Sequence, residues 1–497
     1  MENRNRTLII LAALALVIGV ICLSAAAAGG IAYYMYAEQA PQSLVQWLPR
    51  VFDNQPAGVE NQPQTPLGDE IDLEALFSPF WESRELLHDN FVDQPINDQV
   101  LADGALEGLE QALIAAEIDP DEIEAAPESA PSAEELSAQA GTPDEVRDEF
   151  AAFWAAWRDV EYGDLDLDMT YEQLMQNSLH YMVAALGDPH TAYLDPYEYQ
   201  QTQMDLEGEY EGIGAWVDTS TEYLTIIAPM EGSPAEEAGL LPGDRVIAID
   251  GEDMTGIPGD IVIQSVLGPA GSKVVLTIER DDVDEPFDVE ITRRHIVIPT
   301  VRTEMEEGNI AYIQLYNFGA DSGEQLHNAL EDALAQNPSG LILDLRNNGG
   351  GYLHAAIDIC SEFVDDGVLL YEVYGDDTRD THNALKGGIA LDIPLVVLIN
   401  QGTASASEIL AGVVQDYDRG TLVGDTTFGK GSVQLPVTLA DNQGALRITI
   451  AKWLTPKERH IQDVGIEPDV YVEVTQEDVE AGIDRQLEKA IEILTSS

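Results

Sequence analysis

Residues 394–417, PLVVLINQGTASASEILAGVVQDY, contain a strand, a tight turn and a helix in succession. The apolar run up to Asn400 is typical of a buried strand, Gly402 indicates the turn, and the pattern from about Ser405 predicts a helix. The alternation continues from about 293 to 480, with strands predicted in NIAYIQLYNF and GLILDLR and a helix in GEQLHNALEDALAQ. This region therefore predicts an α/β core, in which sites collect where strands end.

Two serines, Ser405 and Ser407, stand where the predicted helix begins. A serine at that position commonly caps the helix by accepting a hydrogen bond from a backbone N–H group. It can also be a nucleophile whose neighbouring amides form an oxyanion hole, as in other strand–turn–helix elbows. Taken alone, the stretch is compatible with both interpretations, and the second requires a base.

Lys430 is the stronger candidate for that base. The chain has eight histidines, and none lies in a recognisable triad motif. Lys430 is one of 23 basic residues and lies in the turn of DTTFGKGSVQ, between GTLVGD and the predicted strand SVQLPV. A hairpin lysine is usually exposed surface. Burial, however, lowers the pKa of a lysine and lets it accept a proton.

Residues 206–292 differ in character from the core, with short β-rich runs separated by Gly/Pro turns and two helical stretches. The patterns EGIGAWV, GSPAEEAGLLPGDRVIAIDG and IPGDIVIQSVLGPAGSKVVLTIER together resemble a PDZ domain. The resemblance implies that the backbone of Gly212, Ile213, Gly214 and Ala215 receives a peptide's terminal carboxylate. The peptide would then lie between residues 213–218 and a helix near 258–267. A lone GIG is otherwise an ordinary turn.

Residues 71–475 resemble the C-terminal processing peptidases, also called tail-specific proteases. The motifs that carry the resemblance are GDPHTAYLDP at 187–196, the PDZ pattern, LDLRNNGGG at 343–351, TASASEILAG at 403–412, TFGKGSVQ at 427–434 and IQDVGIEPDV at 461–470. The resemblance implies a ClpP/crotonase-like α/β protease core in which Ser405 is the nucleophile, Lys430 the general base, and Gln434 orients the lysine. Ser407 is then expected to cap or pack within the helix.

An oxyanion hole would complete such a site. We expect it to combine the Ala406 amide with an amide of the glycine run after Asn348, and we choose Gly350, although Gly349 and Gly351 remain alternatives. Glycine suits this run because the backbone must come close to the substrate. A serine–lysine pair needs no metal or organic cofactor.

The N-terminus predicts a membrane anchor. Residues 8–36 are mostly apolar or small, long enough to cross a bilayer, and follow Arg4 and Arg6. The arginines favour a cytoplasmic tip, so residues 1–36 predict a single-pass anchor in the cytoplasmic membrane with the catalytic part outside. Small residues at 25–28 leave a cleaved signal peptide and secretion as the alternative. Residues 37–70 are rich in Pro, Gln and Asn and indicate a linker.

Residues 71–205 predict a helical region with an internal repeat at an offset of 73 residues. Phe80-Trp81 recurs as Phe153-Trp154. Four further apolar positions recur at the same offset, and we expect them to be core: Leu101, Leu106, Leu109 and Leu113 against Leu174, Leu179, Met182 and Leu186. Between the copies, residues 117–149 contain twelve acidic residues and four prolines. We interpret that segment as solvated and partly disordered. A C-terminal helix is expected at 481–497.

The charge of the chain limits its partners. It has 91 acidic and 23 basic residues, a net charge of −68, which argues against nucleic acid and suggests a saline or acidic medium. We therefore predict a membrane-anchored serine endopeptidase that recognises protein substrates by their free C-terminal tails. Such an enzyme can also assemble as a homo-oligomer. The alternative is a catalytically inactive PDZ scaffold or adaptor.

Overall fold

The computed structural model describes residues 71–496, apart from 121–122, 164, 166, 168, 220–222, 231, 258, 282 and 284. The predicted anchor and linker lie outside the described residues. Within them, no helix combines the length and the apolar character that crossing a bilayer requires. The described chain has three parts, which are a helical region, a small β-rich domain and a mixed α/β core, as predicted.

The described residues of the helical region form five α-helices and a 3₁₀ turn at Asp144–Val146. The helices are α1 (Leu73–Asn90), α2 (Asp98–Ala115), α3 (Ala133–Gln139), α4 (Ala151–Tyr162) and α5 (Tyr171–Ala184). Helix α5 begins 73 residues after α2, which is the offset of the sequence repeat. The repeated positions are core as expected, since most are fully buried. Cβ atoms on Gly104 and Gly108 would lie 2.6 Å from backbone oxygens of α5, so glycine permits the close approach of α2 and α5.

The core of the helical region is aromatic. Phe77 and Phe80 of α1 contact the rings of Phe153 and Trp154 of α4, with ring centroids 4.8–5.9 Å apart. Such pairs add to the stabilisation that burial provides. Leu446 and Ile448, from a flanking sheet whose strands are given below, close the same core.

The interpretation of residues 117–149 as a solvated segment is wrong for its second half. Ser132 caps α3 through a reciprocal hydrogen bond with Glu135, so this helix has its own start signal. Leu136 and Val146 are buried in the aromatic core. The acidic composition conceals these widely spaced apolar residues, which are enough to dock the segment.

The predicted PDZ domain is built on a five-stranded antiparallel sheet in the order β3-β4-β5-β7-β8, with β6 beside β5. Its strands are β3 (Ala215–Asp218), β4 (Leu224–Pro229), β5 (Arg245–Ile249), β6 (Glu252–Asp253), β7 (Lys273–Glu279) and β8 (Phe287–Thr292). A separate ribbon pairs β2 (Glu209–Gly212) with β9 (Arg294–Val297). Helices α6 (Pro196–Glu207), α7 (Pro234–Glu237) and α8 (Gly259–Val266) complete this part. The edge strand β3 and the helix α8 lie where the peptide groove was predicted.

The α/β core has a six-stranded sheet in the order β10-β11-β12-β15-β16-β19, which is parallel from β11 onward. Its strands are β10 (Val301–Glu306), β11 (Ile310–Leu315), β12 (Gly340–Asp344), β15 (Leu395–Ile399), β16 (Thr421–Gly424) and β19 (Val470–Tyr471). Helices α9 (Ser322–Leu334), α10 (Leu353–Ser361) and α11 (Ala406–Asp416) pack on one face, and α13 (Arg485–Thr495) covers the other. A short helix, α12 (Gln476–Ala481), precedes α13.

A second, antiparallel sheet flanks the core and joins it to the helical region. It runs β1-β18-β13-β14, and β17 also pairs with β18. Its strands are β1 (Ala192–Leu194), β13 (Val368–Tyr374), β14 (Arg379–Asn383), β17 (Ser432–Thr438) and β18 (Ala445–Leu454). This sheet holds the predicted lysine, because β17 begins directly after the Lys430 loop.

Candidate active site

The turn between β15 and α11 holds Ser405 in a strained conformation. Its backbone has φ +55° and ψ −118°, in a region that non-glycine residues rarely adopt. The Thr403 hydroxyl anchors the turn by donating a hydrogen bond to the Leu345 carbonyl at 2.8 Å. Strain of this kind persists only where the surroundings impose it, and it is common at functional sites such as nucleophile elbows.

The two serines differ in their surroundings. Ser407 is fully buried, and its hydroxyl donates to the Asn348 carbonyl oxygen at 3.0 Å. The expectation that Ser407 packs within the helix is therefore confirmed. Ser405 is partly exposed, as a nucleophile that meets a peptide must be.

The glycine run packs directly against this turn. A Cβ atom on Gly350 would lie 2.8 Å from both the Ala404 oxygen and the Ser405 Cβ, and 2.9 Å from the Ala406 nitrogen. The Ala404 N–H group donates to the Asn348 carbonyl at 3.0 Å, which holds the two loops together. The structure thus brings the predicted Gly350 and Ala406 beside Ser405, at a distance that only glycine allows.

The two predicted oxyanion donors are not equivalent. Ala406 is the first residue of α11, so its N–H group has no acceptor within the helix. The Gly350 N–H group donates to the side-chain oxygen of Asn348 at 2.9 Å. An oxyanion bound there would share or displace that acceptor, and the choice of Gly350 over Gly349 and Gly351 stays a prediction.

Glu408 joins the serine turn to the lysine loop. One of its carboxylate oxygens, Oε2, accepts the N–H of Ser405 at 2.8 Å and the N–H of Lys430 at 2.9 Å. The two backbone nitrogens can therefore be no further apart than the sum of those distances. The structure thus brings together the loops of the predicted nucleophile and base, which are separated by 25 positions in the sequence.

The other oxygen of Glu408, Oε1, accepts the Thr427 hydroxyl at 2.6 Å and the Gly429 N–H at 2.7 Å. Burial raises the pKa of this fully buried carboxyl, and the hydrogen bonds from Thr427, Lys430 and Gly429 oppose that rise. Sequence reasoning assigned Glu408 no role. The signal was a glutamate three residues after a helix-capping serine, the pattern of a capping box.

The surroundings of Lys430 favour its neutral form. Burial is the main cause and the Arg447 guanidinium the second, and together they lower the pKa of Lys430 to about 8, against the opposing effect of Glu408 and Asp188. Within the described chain, neither the Ser405 hydroxyl nor the Lys430 ammonium group donates a hydrogen bond to another residue. A lysine with such a pKa can act as a base near neutral pH.

The segment 187–196 borders the same site. Asp188 accepts the Thr191 hydroxyl at 2.6 Å, and Arg447 of β18 donates to the His190 carbonyl at 2.9 Å. Burial, and secondarily the charge of Lys430, lower the pKa of His190. The motif therefore holds Arg447 and contributes to the electrostatics around Lys430.

Gln434 lies in β17, four residues after the lysine. Its side-chain amide donates to the hydroxyl groups of Ser432 at 2.9 Å and Thr449 at 3.2 Å. These bonds fix Gln434 to β17, which follows the lysine loop, and to the neighbouring strand β18. Its predicted action on Lys430 itself stays a prediction.

The predicted carboxylate loop of the PDZ domain follows β2. The carbonyls of Ile213 and Gly214 accept the N–H groups of Ala235 at 2.8 Å and Met230 at 3.0 Å. The ring of Tyr210 packs against the start of the loop, since a Cβ atom on Gly212 would lie 2.7 Å from its ring carbon Cε2. The predicted role of the loop amides in binding a terminal carboxylate stays a prediction.

Comparison with known proteins identifies the family. Residues 309–472 match peptidase family S41, and residues 225–280 match the PDZ domain. The carboxyl-terminal-processing protease of Synechocystis sp. is 39% identical over 323 residues, which cover 63% of this chain and 75% of that protein. The Bartonella bacilliformis carboxy-terminal-processing protease is 37% identical, with 61% and 70% covered, and CtpA of Bacillus subtilis is 34% identical, with 61% and 65% covered. The chain belongs to the carboxyl-terminal-processing proteases of peptidase family S41.

Proposed function

We propose that this chain is a serine endopeptidase in which Ser405 attacks the peptide carbonyl, Lys430 is the general base, and the PDZ domain captures the C-terminal tail of the substrate. The observation that carries the proposal is the Glu408 carboxylate, which holds the strained serine turn and the lysine loop on a single oxygen. The lowered pKa of Lys430 supports the base role, because a neutral amine is required to accept the serine proton.

In the first half of the reaction, the neutral Lys430 amine takes the Ser405 proton as the serine oxygen bonds to the peptide carbonyl carbon. The negative charge then formed on the carbonyl oxygen is stabilised by the Ala406 N–H and by an amide of the glycine run. The lysine returns its proton to the leaving amine as the peptide bond breaks, which leaves an acyl-enzyme. In the second half, water loses a proton to Lys430 and its oxygen bonds to the ester carbon. As the bond from that carbon to the Ser405 oxygen breaks, Lys430 returns the proton to the serine and the new C-terminal acid is released.

The test uses the purified full chain as wild type, Ser405→Ala and Lys430→Ala. The substrate is an unstructured protein with an apolar C-terminal tail, and the same protein with a charged tail is the control. We expect cleavage by the wild type only, with the apolar tail preferred. Equal cleavage by Ser405→Ala would refute the nucleophile assignment. Tail binding without cleavage by any variant would favour the scaffold function instead.

We also propose that residues 1–36 anchor the protein in the cytoplasmic membrane with the catalytic part outside. The support is the long apolar run behind two arginines. Mass spectrometry of the mature N-terminus from the native host tests this, since an anchor keeps the first residues and a secreted form begins after the alanines at 25–28.

A further inference from the structure

The guanidinium of Arg346 joins the C-terminal helix to the loop that follows β12. It lies between two carboxylates, because it donates to Asp344 at 2.6 and 3.0 Å and to Asp484 at 2.8 and 2.9 Å. A further N–H group donates to the side-chain oxygen of Gln486 at 3.2 Å. All five donors of the arginine are therefore used, and their planar arrangement fixes both carboxylates relative to the loop.

The two carboxylates belong to different parts of the core. Asp344 is the last residue of β12, is buried, and accepts the Tyr312 hydroxyl at 2.7 Å. Asp484 caps α13, on the face of the sheet opposite to α11, and accepts the Leu487 N–H at 3.0 Å. The contact with Asp344 is local, whereas the contact with Asp484 crosses 138 positions of the chain. The second contact is therefore the one that ties the Arg346 loop to another element.

The residues on both sides of Arg346 bond to the serine turn. The Leu345 carbonyl accepts the Thr403 hydroxyl at 2.8 Å, and the Asn347 N–H donates to the side-chain oxygen of Asn400 at 2.9 Å. The side chains of Asn347 and Asn400 also bond to each other at 2.8 Å. The glycine run begins two residues later, with the contacts to the serine turn described above. A displacement of Arg346 would therefore reach the predicted oxyanion amides.

We propose that Asp484 is a positioning residue, which acts through Arg346 to hold the glycine run against Ser405. This rests on the proposed peptidase function. Without the Asp484 carboxylate, the guanidinium would keep its charged contact only to Asp344, two positions away on its own loop. Donors stabilise an oxyanion well only when they are held in place before the charge forms. The C-terminal helix thus contributes to catalysis from the far face of the sheet.

The test uses the full chain with Asp484→Asn. Asparagine caps a helix about as well as aspartate, so α13 keeps its start while the ion pair with Arg346 is lost. We expect kcat for peptide cleavage to fall about tenfold with KM unchanged, because small displacements of catalytic groups lower the rate. A peptide aldehyde, whose adduct with Ser405 carries the oxyanion, should bind weaker by the same factor. The matching peptide alcohol forms no adduct and should bind as it does to the wild type.

Two further variants separate positioning from charge and from folding. Glu488→Gln makes the same charge change on the exposed side of α13 and should keep the wild-type kcat. Arg346→Lys keeps the positive charge but cannot hold two carboxylates in a fixed geometry, so its kcat and aldehyde affinity should fall as in Asp484→Asn.

An unchanged kcat in Asp484→Asn, or a lower kcat with unchanged aldehyde affinity, would overturn the positioning role. A shifted midpoint of the pH–rate profile would also overturn it, because the effect would then pass through Lys430. A wild type that cleaves no peptide and binds no aldehyde would remove the proposed function and the positioning role together. An active wild type matched by Asp484→Asn removes only the positioning role.

Discussion

As the proposed base, Lys430 could accept the serine proton only when its own side chain is a neutral amine. With a pKa of about 8, the neutral fraction rises about tenfold per pH unit below that value and levels off above it. We therefore expect kcat/KM for peptide cleavage to rise with pH and to reach a plateau above about 8. A rate profile between pH 6 and 9.5 measures this. A profile that is flat from pH 6 would contradict a base with this pKa.

Arg447 sets part of that pKa, because a nearby positive charge disfavours a second one. Arg447→Gln removes the charge, so the pKa of Lys430 should rise, and the activity at pH 7 should fall while the plateau at high pH is kept. Arg447→Lys retains the charge and should keep the midpoint of the pH–rate profile near that of the wild type. A midpoint that does not move in Arg447→Gln would show that burial alone lowers the pKa.

Gly350 offers a test of close approach. A methyl group there would lie under 3 Å from the serine turn, at a φ of +99° that alanine rarely adopts. We expect Gly350→Ala to lower kcat about 100-fold or more, since one lost oxyanion contact costs that much. Gly349→Ala adds the same methyl where no atom lies within 4 Å, and should retain most of the activity. Equal losses of activity in both variants would mean that an added methyl group is harmful anywhere in the glycine run, and not specifically at the contact with Ser405.

Local patterns of strand, turn and glycine made Ser405 and Lys430 candidates, and the resemblance to the C-terminal processing peptidases gave them their predicted roles. Sequence reasoning could not predict Glu408 as the link between them. The partners of that carboxylate lie in the turn before α11 and in a loop 19 to 22 residues later, and only the folded chain brings them together.

At the scale of elements, the Glu408 carboxylate is the connection between α11 and the loop from β16 to β17. Its two oxygens accept four hydrogen bonds, and glutamine would place an NH₂ group against two of these donors. We expect Glu408→Gln to lower kcat about 100-fold, with a smaller change in KM, because small displacements of catalytic groups cost that much. The melting temperature should fall as well.

Glu331→Gln, on the exposed face of α9, is the control for the charge change and should leave both quantities unaltered. Full activity in Glu408→Gln, measured under the same conditions, would show that the two loops keep their positions without this carboxylate. The serine turn and the lysine loop would then be held by the sheets alone.

The strands and helices of the α/β core were predictable because their hydrophobic patterns are strong. β11, β12, β15, α9 and α11 lie where apolar runs and helical periodicity predict them. Helix α3 was missed because apolar residues are sparse in an acidic segment. The pairing of β2 with β9 joins strands more than 80 residues apart, and no local pattern specifies such a partner.

At the scale of the whole molecule, β18 couples the helical region to the site. Its successive residues point to opposite sides, so Leu446 and Ile448 enter the aromatic core of the helical region while Arg447 reaches toward His190 and Lys430. The duplicated helices are therefore the support behind the strand that tunes the candidate base. Helix patterns predicted the repeat, but the strand on which it packs lies more than 250 residues later in the chain.

The net charge of −68 leads us to expect that salt stabilises the folded chain as a whole. Like charges at this excess oppose compaction, whereas the ion pairs among described residues are mostly exposed on at least one side and contribute little each. Screening by salt should therefore remove more repulsion than attraction.

Raising NaCl from about 0.1 to 1 M shortens the screening length from about 10 to about 3 Å. We expect the melting temperature to rise by on the order of 5 °C. Differential scanning calorimetry measures the shift, which should be steepest at low salt, unlike a Hofmeister effect that continues to grow at molar concentrations. A melting temperature that falls with salt would mean that the attractive pairs outweigh the surplus of carboxylates.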